Sequence, residues 1–146
     1  MEGNLDAPSA AMSLKATEAY VIVFDGGAIG NPGKGYGSFL ISGPGGFKLR
    51  ERMEYGDNVT NNVAEYRTLI AALERLSGVL GDQSRAATVR IHGDSALVIN
   101  QVNRDWKVKK PDLLPLRDEA IHLLSRFGAS HLAWHDRRES VRELGH

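Results

Sequence analysis

The chain has 146 residues, a length typical of one domain that can bury an ordinary hydrophobic core. Hydrophobic residues make up 42% and charged residues 25%, near the average for globular proteins, so the composition excludes collagen-like, disordered and membrane-spanning classes. There is no cysteine, which excludes disulfides, zinc–thiolate sites and thiol nucleophiles. Eighteen basic side chains balance eighteen acidic ones, so any binding of nucleic acid must depend on local patches.

The N-terminal residues differ from the rest of the chain. Residues 1–17 are rich in alanine and serine and show no clear period, which predicts a disordered extension before one folded domain at residues 18–146. They lack the charged start and apolar run of a secretion signal. We therefore expect a cytoplasmic protein that does not act at a membrane and that is a monomer.

The first half of the domain predicts an antiparallel meander. Residues 20–24 are β-branched or aromatic, as in a central strand covered on both faces, and this strand is predicted to end at Asp25. A glycine-rich turn follows, and then two strands at residues 36–41 and 47–55 form a hairpin around residues 43–46.

A long amphipathic helix is predicted next. Asn61 or Asn62 is its expected N-cap, apolar residues recur at intervals of three and four from Tyr66 onwards, and Gly78 lies near its predicted end. Glu65 is expected in its first turn.

The second half alternates between strand and helix. Residues 87–92 predict a strand that ends at Asp94, followed by a helix at residues 95–102. A helix capped by Asp112 and ended by Gly128 then precedes a final strand at residues 131–134. This order predicts an α/β fold with a mixed sheet.

Two of the predicted strands end in a carboxylate. If the strands of Asp25 and Asp94 are parallel neighbours, their side chains meet at one edge of the sheet, and Glu65 can join them from a helix terminus. Carboxylates that lie so close together either share a proton or hold a cation. Oxygen ligands without cysteine suit Mg²⁺ or Mn²⁺, so we expect phosphodiester cleavage.

A short basic segment, residues 104–110, contains four cations and one anion around Trp106. Such a sequence can bind phosphates and stack on a sugar or base. The alternative is a solvated loop that only maintains solubility.

Several motifs in order resemble type 1 ribonuclease H, especially its compact bacterial and archaeal members. The motifs are Asp25-Gly26-Gly27, Gly30-Asn31-Pro32-Gly33, Thr60-Asn61-Asn62-Val63-Ala64-Glu65-Tyr66, Gly93-Asp94-Ser95 and Trp106-Lys107-Val108-Lys109. The asparagine pair before Glu65, placed between two aspartate motifs, is the most specific of them. The match runs from Tyr20 to about Glu139.

The resemblance implies a ribonuclease H-like fold with a five-stranded mixed sheet flanked by helices. It also implies a Mg²⁺ site, with Mn²⁺ as substitute, and hydrolysis of the RNA strand of RNA/DNA hybrids to a 3'-hydroxyl and a 5'-phosphate. Asp25, Glu65 and Asp94 match the family's catalytic and metal-binding acids. The residues that match its substrate contacts are Gly26, Asn31, Thr60, Asn61, Asn62, Trp106 and Lys107. Thr60 and the basic segment are expected to hold the DNA strand.

Two positions depart from the family pattern. Ala96 replaces a glutamine, which removes one groove contact. A gap-free match places the family's fourth metal-site aspartate on Gly145, which has no ligand atom, and only a small shift would offer Glu143 instead. The family's C-terminal helix is therefore expected to be truncated or divergent here, and activity to be low, absent or dependent on Mn²⁺.

Three functions remain open from the sequence. An active hybrid-specific ribonuclease is favoured by the three acids and the asparagines, and a catalytically impaired hybrid-binding module by Gly145. A nuclease or integrase relative with other substrates is the third. His135 could act as a proton shuttle, although a surface histidine at a strand end is the simpler interpretation.

Overall fold

The structure is a computed structural model that describes residues 19–145. Five strands form one mixed sheet in the order β3-β2-β1-β4-β5. They are β1 (Ala19–Ile29), β2 (Gly33–Ser42), β3 (Lys48–Val59), β4 (Thr88–Gly93) and β5 (Ala129–Trp134). β2 pairs antiparallel with both β1 and β3, and β4 and β5 run parallel to β1. The predicted α/β class and mixed sheet are confirmed.

Four α-helices flank the sheet. They are α1 (Asn61–Leu80), α2 (Ala96–Val102), α3 (Leu114–Leu124) and α4 (Arg137–Leu144). Short 3₁₀ turns occur at Pro44–Gly46, Gly81–Ala86 and Pro111–Leu113. None of the helices in the described part of the chain is both long enough and apolar enough to cross a membrane. The predicted extension at residues 1–17 lies outside the described residues.

The two faces of the sheet are covered unequally. Ile22 and Phe24 of β1 point into the main core, which α1, α2 and α3 cover. The alternate residue Val23 faces the other side, where it packs with Leu40 and with Leu144 of α4. This second cluster is small, so α4 depends on few apolar contacts.

Strand β1 is longer than the sequence predicted. The prediction that it ends at Asp25 was wrong, because antiparallel pairing with β2 continues as far as Ile29. The parallel pairing with β4, however, stops at Phe24 and Gly93. Asp25 is therefore the first residue of β1 beyond the edge of β4, which keeps its carboxylate at the end of the parallel strands.

The start and end of α1 also differ from the prediction. Thr60 is the N-cap, since its Oγ1 accepts a hydrogen bond of 3.2 Å from the Val63 amide, so the expectation of a cap at Asn61 or Asn62 was wrong. The helix continues through Gly78. Glu65 lies just beyond the first turn, as the fifth residue of the helix.

The predicted start of the third helix was also wrong. Asp112 lies inside the 3₁₀ turn Pro111–Leu113, and α3 begins only at Leu114. Helix α4 has Asp136 as its N-cap, whose carboxylate accepts a hydrogen bond from the Arg138 amide.

The packing of α4 gives a stability prediction. Leu144→Ala is expected to lower the free energy of unfolding by about 2 to 4 kcal/mol, because it removes one of the few buried side chains that hold the helix. Urea denaturation measures the change. Val141 lies on the same helix but is 45% exposed, so Val141→Ala should change stability by no more than about 0.5 kcal/mol. Equal effects of the two substitutions would contradict the docking of α4.

Candidate metal and nucleic-acid site

Three carboxylates meet at one edge of the sheet. Asp25 lies on β1, Asp94 directly follows β4, and Glu65 reaches them from α1. One ligand atom from each lies within 4.8 Å of the others. The parallel pairing of β1 with β4 brings the two aspartates together, as their places at the strand ends predicted.

Gly26 allows α1 to lie close enough to complete the cluster. A Cβ atom at Gly26 would lie 2.7 Å from the backbone carbonyl of Ala64 and 2.8 Å from the amide nitrogen of Glu65. Since these are backbone atoms, a side chain at this position would push the helix away from the strand. Glycine here therefore brings Glu65 to the aspartates.

The pKa of Glu65 is strongly raised in this site. Burial is the main cause that raises the pKa of Glu65 to about 8, and the charges of Asp25 and Asp94 raise it further, while a hydrogen bond from Ser95 and the charge of Arg137 oppose the shift. Glu65 is therefore mainly protonated at neutral pH when no other cation is present.

Arg137 places a positive charge between the two aspartates. Its Nη1 donates hydrogen bonds of 2.9 Å to Asp25 Oδ2 and 3.1 Å to Asp94 Oδ2. The aspartate side chains are almost fully buried, whereas 54% of the arginine side chain is exposed. Burial alone would lower the pKa of Arg137, but the two aspartates raise it. The site thus has a geometry that one cation can bridge.

The residues present fit a divalent cation. Three carboxylates supply hard oxygen ligands within a small space, and Arg137 shows that a cationic group is accommodated between two of them. Arg137 is the first residue of α4 and is exposed, so it can leave the aspartates without disturbing the core.

Glu143 and Gly145 lie at the other end of α4. Helix geometry places Gly145 roughly 12 Å along the axis from Arg137. Gly145 is the C-cap with φ of +82°, a conformation that favours glycine over aspartate. The cluster found among the described residues contains Asp25, Glu65 and Asp94 and not Glu143. A metal-binding role of Glu143 stays a prediction.

His135 lies beside the site and its ring has structural partners. Its ring nitrogen Nε2 is 2.8 Å from the Oγ of buried Ser140, and the ring stacks on His92 with centroids 6.0 Å apart. Burial, followed by the charge of His135, lowers the pKa of His92. These contacts account for a histidine here without chemistry, and the proton-shuttle role stays a prediction.

Two of the predicted substrate-binding asparagines join the first hairpin to α1. Asn31 Oδ1 accepts a hydrogen bond of 3.0 Å from the Asn61 amide, and Asn61 Oδ1 accepts one of 2.8 Å from the Ala28 amide. Each oxygen accepts one hydrogen bond, so the NH₂ groups and the second lone pair of each oxygen are the positions that could face a substrate. Thr60, the third predicted contact here, is occupied as the helix cap.

The basic segment lies across a pocket from α1. Trp106 is 49% exposed, and together with Lys107 it lines a pocket of about 570 Å³. Asn62 and Gln101 line the same pocket. The structure therefore brings Asn62 and the basic segment together, as a shared substrate contact requires.

Sequence reasoning did not identify Arg137. A signal was present, because the final strand precedes it and was predicted to lie in the same sheet as the strand of Asp94. β4 and β5 are parallel neighbours, so the residues that directly follow them lie at the same edge of the sheet. Nothing in the sequence around Arg137 indicates that its side chain neutralises the two aspartates.

Arg137 gives a prediction about cation binding. Arg137→Gln is expected to lower the melting temperature without divalent cation, because the aspartates lose their counter-charge, and to increase the rise in melting temperature that Mn²⁺ or Mg²⁺ produces. Thermal unfolding with and without the cation measures both. The matched control is Arg138→Gln, since Arg138 is 88% exposed and pairs with Asp136. An unchanged cation effect in Arg137→Gln would show that arginine and cation do not compete.

Glu65 gives a prediction about pH. Its pKa in the fold, about 8, lies above that of an unfolded glutamate, so the folded state retains a proton that the unfolded state releases. The stability of the metal-free protein should therefore fall as pH rises from about 4.5 to 8. Urea midpoints across this range should show a steeper decline for the wild type than for Glu65→Gln. Parallel profiles would contradict the perturbed pKa.

The chain is similar to several known proteins. A family model described as reverse transcriptase-like matches residues 24–142. The chain is 42% identical to the bifunctional protein Rv2228c of Mycobacterium tuberculosis over 115 residues. This alignment covers 78% of this chain and 30% of that protein. It is 41% identical over 108 residues to ribonuclease HI of Halobacterium salinarum, covering 71% and 50% respectively. The chain thus spans half or less of these relatives' length.

Two solved structures align with this chain over most of its length and most of their own. The N-terminal RNase H domain of Rv2228c superposes with a TM-score of 0.75 at 34% identity, covering 87% of this chain and 90% of that one. LC11-RNase H1 in complex with an RNA/DNA hybrid superposes with a TM-score of 0.76 at 32% identity, covering 86% and 92%. With a family model matched from residue 24 to residue 142 and the same fold in these structures, the chain belongs to the ribonuclease H family.

Proposed function

We propose that the protein is a metal-dependent endoribonuclease that hydrolyses the RNA strand of RNA/DNA hybrids, leaving a 3'-hydroxyl and a 5'-phosphate. The observation that carries the proposal is the cluster of Asp25, Glu65 and Asp94, with ligand atoms within 4.8 Å, at the edge of the sheet. The hybrid bound to LC11-RNase H1, a relative of the same fold, supports the substrate class.

The three acids are the proposed ligands of the cation. Mg²⁺ is the proposed ion, with Mn²⁺ as substitute, because both prefer oxygen ligands. When bound, it supplies Lewis-acid polarisation and neutralises charge that develops on the phosphodiester. Asp25 and Asp94 would hold the cation at the sheet edge, where the scissile phosphate binds. Glu65 must lose its proton to bind the cation and then faces the 2'-hydroxyl of the RNA nucleotide.

The remaining contacts divide between the two strands of the hybrid. The side-chain amides of Asn31, Asn61 and Asn62 bind sugar hydroxyls and base edges. Amides can both donate and accept hydrogen bonds, so these contacts need no excess of positive charge on the protein. Lys107 and Trp106 hold the second, DNA strand through phosphates and stacking. Because only the RNA strand carries 2'-hydroxyls, contacts to them distinguish a hybrid from duplex DNA.

A catalytically impaired hybrid-binding module is the second candidate. The observation that favours it is Arg137, which takes the position between Asp25 and Asp94 that a catalytic cation would use. In that case the asparagines and the basic segment still bind the hybrid while the acids remain neutralised by the chain itself.

Cleavage of a labelled hybrid tests the proposal. In Mg²⁺ or Mn²⁺ the wild type should cut the RNA strand, and Asp25→Asn should reduce the rate on the order of 100-fold or more, because the site loses a charged ligand. Asp82→Asn is the matched control, since Asp82 is exposed and precedes β4, at the end of that strand remote from the site. Labels at either end of the RNA identify the 3'-hydroxyl and 5'-phosphate products.

The same assay separates the alternatives. Binding of the hybrid without cleavage in either cation would exclude the ribonuclease and favour the binding module. Equal cleavage of duplex DNA would favour a nuclease with other substrates.

A further inference from the structure

We propose that the buried pair of Tyr66 and Gln101 positions the basic segment against Asn62, and that it thereby sets affinity for the DNA strand without taking part in the chemistry. This inference rests on the proposed function, because it gives the basic segment a nucleic-acid ligand. Tyr66 and Gln101 are positioning residues, since they act through Lys107 and Trp106.

The pair is a polar contact inside the main core. Tyr66 is fully buried and Gln101 is 4% exposed. The Tyr66 hydroxyl donates a hydrogen bond of 2.7 Å to Gln101 Oε1. A buried polar group costs free energy unless it is bonded, and two apolar side chains would fill this space without that cost.

The other side of the pair holds the basic segment. Gln101 Nε2 donates a hydrogen bond of 3.4 Å to the Lys107 carbonyl, and the Gln101 carbonyl accepts one of 3.0 Å from the Arg104 amide. The carbonyl of Asn100 accepts hydrogen bonds from the amides of Asp105, at 2.8 Å, and Trp106, at 3.1 Å. The segment is thus bonded to the end of α2, and Tyr66 bonds that end to α1.

The position of Tyr66 on α1 links this contact to the substrate. Asn62 precedes Tyr66 by four residues, so the two side chains lie on the same side of the helix. Asn62 and Gln101 line the same 570 Å³ pocket as Trp106 and Lys107. The Tyr66–Gln101 hydrogen bond therefore fixes the spacing between Asn62 and the basic segment.

The catalytic acid lies on a different side of the same helix. Glu65 is adjacent to Tyr66 in sequence, which turns it by about 100° around the helix axis, towards Asp25 and Asp94. Loss of the Tyr66 hydroxyl should therefore change binding of the hybrid and leave the acid cluster intact.

Two substitutions test the pair. Tyr66→Phe removes the hydroxyl, and Gln101→Met keeps the side-chain volume but removes both of its hydrogen bonds. In the Asp25→Asn background, anisotropy of a labelled RNA/DNA hybrid should show Kd raised roughly five- to tenfold by either change. The dependence of Kd on salt should weaken as Lys107 loses its phosphate contact. With Asp25 restored, kcat at saturating hybrid and the binding of Mn²⁺ should not change.

The matched control is Tyr55→Phe. The Tyr55 hydroxyl also forms a hydrogen bond with a side chain of α1, that of Thr68, at 2.7 Å. Tyr55 belongs to β3, however, and does not line the pocket. It should leave Kd unchanged. The double variant Tyr66→Phe/Gln101→Met should bind no more weakly than Gln101→Met alone, because both changes break one connection. Urea midpoints confirm that each variant is folded under the conditions of the assay.

The outcomes separate the two proposals. If the protein with an intact pair does not bind the hybrid, the proposed function fails and this inference fails with it. If it binds and Tyr66→Phe and Gln101→Met leave Kd unchanged, only this inference is overturned. A fall in kcat with unchanged Kd would likewise overturn it, since the pair would then act on the acids.

Discussion

Electrostatic repulsion among three carboxylates is the constraint on which the site depends. Ligand atoms of Asp25, Glu65 and Asp94 lie within 4.8 Å, and buried like charges at such distances cannot all remain ionised without compensation. The chain offers two means of compensation: Glu65 retains a proton because its pKa is about 8, and Arg137 bridges the aspartates. A divalent cation would replace both at once, so its binding must be coupled to release of a proton and to movement of an exposed arginine.

The fold maintains this repulsive arrangement through backbone contacts more than through the acids themselves. Parallel pairing of β1 with β4 ends at Phe24 and Gly93, which leaves the two aspartates side by side. Gly26 lets the backbone of α1 approach the strand, and so brings Glu65 within reach. Because the strand pairing and the close helix approach are stabilised by a core of buried apolar residues, the fold can offset the cost of gathering negative charge.

Features that depend on local sequence could be predicted, and features that depend on distant contacts could not. The strands, the helices and the meeting of Asp25 with Asp94 followed from periodicity and from the rule for strand ends. The glycines after Asp25 predicted a turn, yet pairing with β2 keeps them in a strand, since register with a neighbour outweighs weak local preference. Asn61 has a good capping side chain, but it bonds Ala28 instead and Thr60 caps the helix. Arg137 follows the last strand closely, but only the tertiary structure shows that its side chain bridges Asp25 and Asp94.

In the proposed function, helix α1 connects the acid cluster to the substrate contacts. Asn62, Glu65 and Tyr66 lie within little more than one turn, yet they face the pocket, the acids and the buried end of α2 respectively. The first turn of α1 is fixed by hydrogen bonds that the side chains of Thr60 and Asn31 accept, so the helix transmits position without bending over so short a distance. In the proposed function, α1 therefore sets the spacing between the acids and Asn62, and the Tyr66–Gln101 hydrogen bond connects the basic segment to this helix. A substitution that rotates or shifts this turn would displace Glu65 and Asn62 together, whereas loss of the Tyr66–Gln101 hydrogen bond would release the basic segment and leave the acids in place.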